Sequence, residues 1–158
     1  MMPPAASRDT RISIDPAETF PAIVVIPSDP AEAMRVQTEI EQALLATQYG
    51  DHEVFGIKLA LEEALVNAIK HGNQMDRTKT VRIAYRIETS RFEVLIIDEG
   101  KGFDPCDVPD PTAIENLERP CGRGLMLMRH YMTEVTFHGH GNAVQMSKVR
   151  VVERNGQP

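Results

Sequence analysis

Apolar positions along the 158-residue chain recur at two spacings, and the switches between them lay out the elements. From Thr19 to Ile26 the run TFPAIVVI reads as a strand, and Pro21 near its start places it at a sheet edge. The next residues are SDP, with Ser28 or Asp29 as N-cap and Pro30 in the first helical turn. That helix runs to about Gln48, buries Ala33, Val36, Ile40, Leu44 and Leu45, and is stopped by Gly50. Asp51 caps the next helix, which meets no proline or internal glycine between Gly56 and Gly72 and ends near Gly72. At about 100° per residue, Ile57, Leu61, Ala64, Leu65 and Ala68 share one face and belong in a core. Glu63 and Asn67, at i and i+4, point roughly the other way. Leu59, Ala60 and Val66 flank that pair, so the polar face is a narrow slot. A carboxylate and an amide framed by apolar residues need partners, because an unpaired buried charge costs several kcal/mol. The plainer alternative is a solvated stripe.

After the polar connection NQMDRTK the period changes to two. Thr80 to Glu88 alternates as Val81, Ile83, Tyr85 and Ile87, a half-buried strand. Arg91 to Asp98 carries Phe92, Val94, Leu95, Ile96 and Ile97, so it is more fully buried and central. Thr89 and Ser90 turn between the two as an antiparallel hairpin. From Glu99 to Gly124 glycine, proline and acids replace any periodicity, over a length (roughly 25 residues) at which loops are commonly functional lids or disordered. A short helical piece around Thr112 to Leu117 interrupts it. Arg123 to Met132 is a glycine-entered helix with a Leu125, Met128, Met132 stripe, and Glu134 to His138 with Asn142 to Val151 forms a final hairpin turned by HGHGN. The sum is an α+β two-layer sandwich: a mostly antiparallel sheet of about five strands with helices on one face. Residues 1–18 are Pro- and Ala-rich without periodicity and are expected to be a disordered tail. Residues 19–152 form one domain, and 153–158 a C-terminal tail.

Composition narrows the chemistry. Lys plus Arg total 17 against 23 Asp plus Glu, a formal charge of −6, which argues against a general nucleic-acid surface. It leaves room for a local cationic cluster around a phosphate. No apolar run approaches the ~20 residues that cross a bilayer, and MMPPAASRDTR lacks the apolar segment of a secretory signal. Two cysteines, Cys106 and Cys121, make neither a disulfide framework nor a metal cluster; a cytoplasmic protein with free thiols is expected. The eight methionines are simplest as core filler. His138 and His140 sit in a hairpin turn and read as solvated rather than as metal ligands.

Two glycine segments add chemistry. Asp98 ends the most apolar strand, and Gly100 and Gly102 follow in DEGKGFDP, putting a carboxylate beside a backbone that a ligand can approach closely. In CGRGLMLM, Gly122 and Gly124 lead into a helix whose free N–H groups suit an anion, with Arg123 and Arg119 adding charge. Each alone is a weak signal, with a tight turn or a hinge as its ordinary explanation.

Taken in order, the segments E-x-x-x-N-A-x-K-H-G, D-x-G-x-G-F and G-x-G-L-x-L-M resemble the GHKL, or Bergerat-fold, nucleotide-binding superfamily of gyrase, a heat-shock chaperone, sensor histidine kinases and MutL. EALVNAIKHGN and GRGLMLMRHYMTEV are most similar to its small single-domain branch, the anti-sigma-factor serine/threonine kinases of bacterial partner switching. The resemblance runs from Ile23 to Arg150. It implies ATP and Mg²⁺ as cofactors, Asn67 as the Mg²⁺ ligand and Glu63 as general base, with Glu62 as the rival base. It further implies that Lys70 reaches a phosphate and that His71 lines the ribose or phosphate side. Asp98 would accept from the adenine amino group beside Gly100 and Gly102. Gly122, Arg123 and Gly124 would wrap the phosphate chain, with Arg119 nearby and Leu125 continuing the helix. Where the superfamily often carries a Gly-Thr pair near the last strand, this chain reads GNAVQM and lacks that threonine. The implied function is an ATP- and Mg²⁺-dependent serine/threonine protein kinase acting as an anti-sigma factor. It would phosphorylate a serine of a STAS-domain antagonist, sequester a sigma factor, or both, and the resemblance implies a homodimer. The alternative is a catalytically silent ATP-binding module that works by sequestration alone. A histidine-kinase half is disfavoured because residues 1–18 are too short for a phospho-acceptor helix hairpin. A gyrase- or chaperone-like machine would need further domains.

Overall fold

A computed structural model of the protein describes residues 19–102 and 120–151. The expected tails, the helical piece at Thr112 to Leu117, Cys106, Arg119 and the side chain of Cys121 lie outside the described residues. The elements in order are β1 (Ala22–Pro27), α1 (Pro30–Ala46) and α2 (Asp51–Val66), the last continuing as a π-helical turn at Asn67–Gly72. They are followed by β2 (Thr80–Ile87), β3 (Arg91–Ile97), α3 (Pro120–Tyr131), β4 (Glu134–His138) and β5 (Ala143–Val149). The five strands form one sheet in the order β1-β2-β3-β5-β4, every described pair antiparallel. β1 is an edge and β3 the centre, as Pro21 and the apolar run of β3 led one to expect. Ile83, Ile96, Val144 and Phe137 stand in one row across β2, β3, β5 and β4 on the helix-facing side. Among the described residues the opposite side carries only a small cluster, in which Phe20 covers Ala84 and Leu95.

Local rules explain the boundaries. Asp29, not Ser28, caps α1: its Oδ1 accepts from the Ala31 N–H at 2.9 Å, a contact of about 1 kcal/mol. Ser28 is instead buried, with its hydroxyl on the Lys79 carbonyl. Ala33, Val36, Ile40 and Leu44 are buried as expected, but Leu45, rotated about 100° past Leu44, is 47% exposed. The chain reverses after α1 at Gln48, whose φ is 64°, and Gly50 takes the N-cap of α2 in place of Asp51. α2 is the central helix, packed between α1 and α3, so its burial extends beyond one stripe to Val54, Gly56 and Ala60. Each fully buried Ile or Leu here, such as Ile57 and Leu65, stabilises the fold by roughly 1.5–3 kcal/mol.

α3 begins at Pro120 rather than Arg123, so Gly122 as well as Gly124 lies within its first turns. Proline suits a first helical position, and a glycine inside a helix costs about 0.5–1 kcal/mol relative to alanine, which is why the pattern placed the start later. Leu125, Met128 and Met132 are its buried stripe. Among the described residues no helix is long and apolar enough to cross a membrane.

Candidate functional site

The C-terminal end of α2 changes pitch where its chemistry begins. From Asn67 the turn widens, and the Asn73 N–H donates to the Ala68 carbonyl five residues back at 2.8 Å. Such widened turns recur at functional sites because they re-aim side chains that a regular helix would hold elsewhere. The wide turn ends beside β3. A Cβ at Gly72 would lie 2.4 Å from the Asp98 carboxyl carbon, and one at Gly100 would lie 2.2 Å from the Gly72 carbonyl oxygen. Only glycine at both positions lets the end of α2 sit against the segment after β3.

A cavity of about 340 Å³ opens at this junction, within the range of small-ligand sites. Asn67, Ala68, His71 and Gly72 form its α2 side, and Ile96, Asp98, Lys101 and Gly102 its β3 side. Met128 of α3, Phe137 of β4 and the segment from Gly141 to Val144 close it, with Lys79 at the start of β2. Apolar walls with few polar groups suit a flat heterocycle better than a free ion. Gly102 has φ 77° and packs against the His140 backbone, so a side chain is excluded there both by conformation and by space.

Asp98 follows β3 directly and is fixed on two sides. Its N–H donates to the Asn142 carbonyl at 2.9 Å, and Asn142 Nδ2 donates back to the Asp98 carbonyl at 3.1 Å. The Gly100 N–H donates to Asp98 Oδ1 at 2.7 Å, which sets the carboxyl rotamer. Burial raises the Asp98 pKa to about 6, and the Gly100 N–H, His140 and Lys79 each pull it back toward the ordinary carboxylate range. This is a carboxylate held partly desolvated in a cavity wall, the state in which an acceptor discriminates most strongly between donors.

Glu63 and Asn67 are both half-buried, and Gly124 of α3 packs directly onto them. A Cβ at Gly124 would lie 2.9 Å from Glu63 Oε2 and 3.0 Å from Asn67 Nδ2. Asn67 Oδ1 is buried without a hydrogen-bond partner, one of two such side-chain atoms among the described residues. A buried amide oxygen left unpaired costs about 1–3 kcal/mol, and an oxygen-seeking cation such as Mg²⁺ would repay that cost. The residues present therefore fit the implied metal.

The structure brings Asn67, His71, Asp98 and Gly102 together around one cavity, with Gly100 beside them and Glu63 adjoining at Gly124. It does not bring Lys70 there: Lys70 is exposed and off the cavity wall. In a wide turn the positions four and five after Asn67 align with it, so His71 faces the cavity and Lys70 is rotated away. Arg123 is exposed on the first turn of α3, Leu125 is buried, and Glu62 is exposed. Sequence reasoning missed Lys79, Lys101 and Asn142. Asn142 stands in the GNAVQM stretch that lacks the superfamily's threonine, while Lys79 lay in an aperiodic connector that carried no signal.

An open antiparallel sheet covered on one face, with a polar helix end meeting a buried acid and a glycine-bearing helix, defines an ATPase-type domain. The chain belongs to the histidine kinase-like ATPase domain family, matched over residues 26–148. Serine-protein kinase RsbW of Bacillus subtilis is 29% identical over 136 residues, covering 82% of this chain and 85% of that protein. The protein of the same name in Bacillus licheniformis is 30% identical over 115 residues, covering 67% and 71% respectively. Anti-sigma F factor of Anoxybacillus flavithermus is 33% identical over 102 residues, covering 61% and 69%.

Proposed function

We propose that this protein is an ATP-dependent serine/threonine protein kinase of the anti-sigma type, acting in the cytoplasm on a STAS-domain antagonist and binding a sigma factor. The observation that carries the reading is a cavity lined by both Asp98 and Asn67, whose buried Oδ1 has no hydrogen-bond partner. The names of relatives such as serine-protein kinase RsbW and anti-sigma F factor support the kinase and partner assignments.

In this reading Asp98 accepts from the adenine amino group, and the backbone at Gly100 and Gly102 lets the base approach. Ile96, Met128 and Phe137 exclude water around the ring. Asn67 would hold Mg²⁺ through Oδ1; when bound, the ion neutralises phosphate charge. Glu63, one helical turn before Asn67, takes the proton from the attacking serine hydroxyl. Lys101 and His71 supply donors to the ribose and phosphates from the cavity wall, with Arg119, Gly122, Arg123 and Gly124 around the phosphate chain. Lys70 is left in solvent as a surface charge that a partner or a phosphate reaches from outside.

The test is incubation of the full chain with labelled ATP, Mg²⁺ and its STAS-domain antagonist. Transfer to the antagonist is expected, with a loss of about 10²–10⁴-fold in Glu63→Ala. No transfer, with Glu63→Ala indistinguishable from the parent, sinks the kinase assignment. A second reading has its own support: Glu63 adjoins the cavity without lining it. That favours an ATP-binding module that regulates by sequestration alone, and tight nucleotide binding with no transfer would select it.

A further inference from the structure

Asn73 is fully buried, at 0% exposure, and the mechanism above gives it no part. Its amide joins three separate segments, two of them more than 25 residues away in sequence. Nδ2 donates to Ser28 Oγ at 2.9 Å and to the Thr80 carbonyl at 3.0 Å, while Oδ1 accepts from the Glu99 N–H at 2.8 Å. Ser28 passes the connection on, donating from its hydroxyl to the Lys79 carbonyl at 2.9 Å. Glu99 returns it through its carboxylate, which accepts from the Thr80 N–H. A carboxamide is the side chain of this size that offers donors and an acceptor together, and here both ends are engaged. Glu99 lies between Asp98 and Gly100, the two residues joined by the bond that sets the Asp98 rotamer.

We infer that Asn73 is a positioning residue for nucleobase recognition: its Oδ1 holds the Glu99 amide, and thereby the turn that aims Asp98 into the cavity. Its two donor bonds anchor that turn to the junction before α1 and to the start of β2. Asn142 holds Asp98 from the turn before β5, and Asn73 holds the next residue from the end of α2, so the acid is clamped between two amides. The inference rests on the reading of the cavity as a nucleotide site.

The experiment compares Mg²⁺-supported binding of ATP with that of purine riboside triphosphate, which lacks the 6-amino group, to the full chain. The parent is expected to prefer ATP by about tenfold or more, as loss of a hydrogen bond to a charged group entails. In Asn73→Ala the preference falls to about twofold or less, as in Asp98→Ala, and the double variant loses no more than either single one. A structural role alone would weaken both ligands by the same factor; an unchanged preference in folded Asn73→Ala overturns the inference. Asn73→Asp keeps an acceptor for the Glu99 N–H and loses the donors, so its preference for ATP is retained while its Tm falls. That variant carries the test if Asn73→Ala does not fold, and a lost preference in folded Asn73→Asp also overturns the inference. A parent that binds neither ligand, or both equally, fails the nucleotide reading itself.

Discussion

Asp98 places function and stability in opposition. Its pKa in the folded chain, about 6, lies above the ordinary 3.8, so the folded state holds this proton more tightly than the unfolded chain does. The nucleotide-free protein therefore loses stability as pH rises from about 3.8 through about 6. Ligand recognition needs the opposite protonation state, because only the ionised carboxylate is a full acceptor for an amino group. ATP affinity is expected to fall as pH drops below about 6, with Lys79 and His140 as the neighbours that moderate the effect. Asp98→Asn should flatten that pH profile, weaken ATP binding at pH 7.5 by about tenfold or more, and leave the nucleotide-free Tm there no lower than the parent's. Isothermal titration and thermal melts across pH check both halves. A Tm clearly below the parent's would show that the carboxylate stabilises the empty site.

At the scale of elements, the meeting of α2 and α3 separates packing from helix propensity. Glycine to alanine inside an ordinary helix stabilises by about 0.5–1 kcal/mol. At Gly124 the added methyl would press on Glu63 Oε2 and Asn67 Nδ2, which are the movable ends of side chains rather than backbone. Gly124→Ala is thus expected to keep or raise the Tm while lowering phosphotransfer at least about tenfold. Parallel melts and labelled-ATP assays decide, and unchanged transfer would remove Gly124 from the site. The same region shows how far the sequence could be read. The core stripe of α2, the Glu63–Asn67 pair and the Asp98 strand end all follow from period and composition, because burial in a two-layer sandwich enforces period. The widened turn after Asn67 does not follow, since nothing in NAIKHG distinguishes it from a regular turn, and Lys70 was placed by the wrong pitch. The early start of α3 was hidden because its glycines report a tertiary contact, not a local preference. Lys79 and Asn142 come from connectors, where position depends on partners far away in the chain.

Across the whole molecule, Arg150 ties the sheet to the helical layer at the ends of several elements. Its guanidinium donates to Glu53 of α2, to the Thr89 carbonyl in the β2–β3 turn and to the Gln48 carbonyl after α1. It also stacks on the Tyr49 ring at 4.3 Å, while the Tyr49 hydroxyl donates to the Glu88 carbonyl at 2.6 Å. This cluster does not line the cavity, so Arg150→Ala should cost about 2 kcal/mol in denaturant unfolding and leave ATP affinity within about twofold. A large loss of affinity would mean that the two ends of the fold are coupled. The fold class, the strand order at the edge and centre, and the single layer of helices were all legible in the sequence. The tie at Arg150 was not, because it joins residues more than 90 positions apart without any periodic signature.

The wide turn at Asn67–Gly72 has a consequence for the spacing of the helix motif. α2 carries two rulers end to end: a regular one that sets Glu63 over Asn67 four residues on, and a coarser one, bonded five residues back, that delivers Gly72 to Asp98. The count of residues between Asn67 and Gly72 therefore works as a gauge length. At its far end any residue but glycine would carry a Cβ into the space that the Asp98 carboxylate occupies.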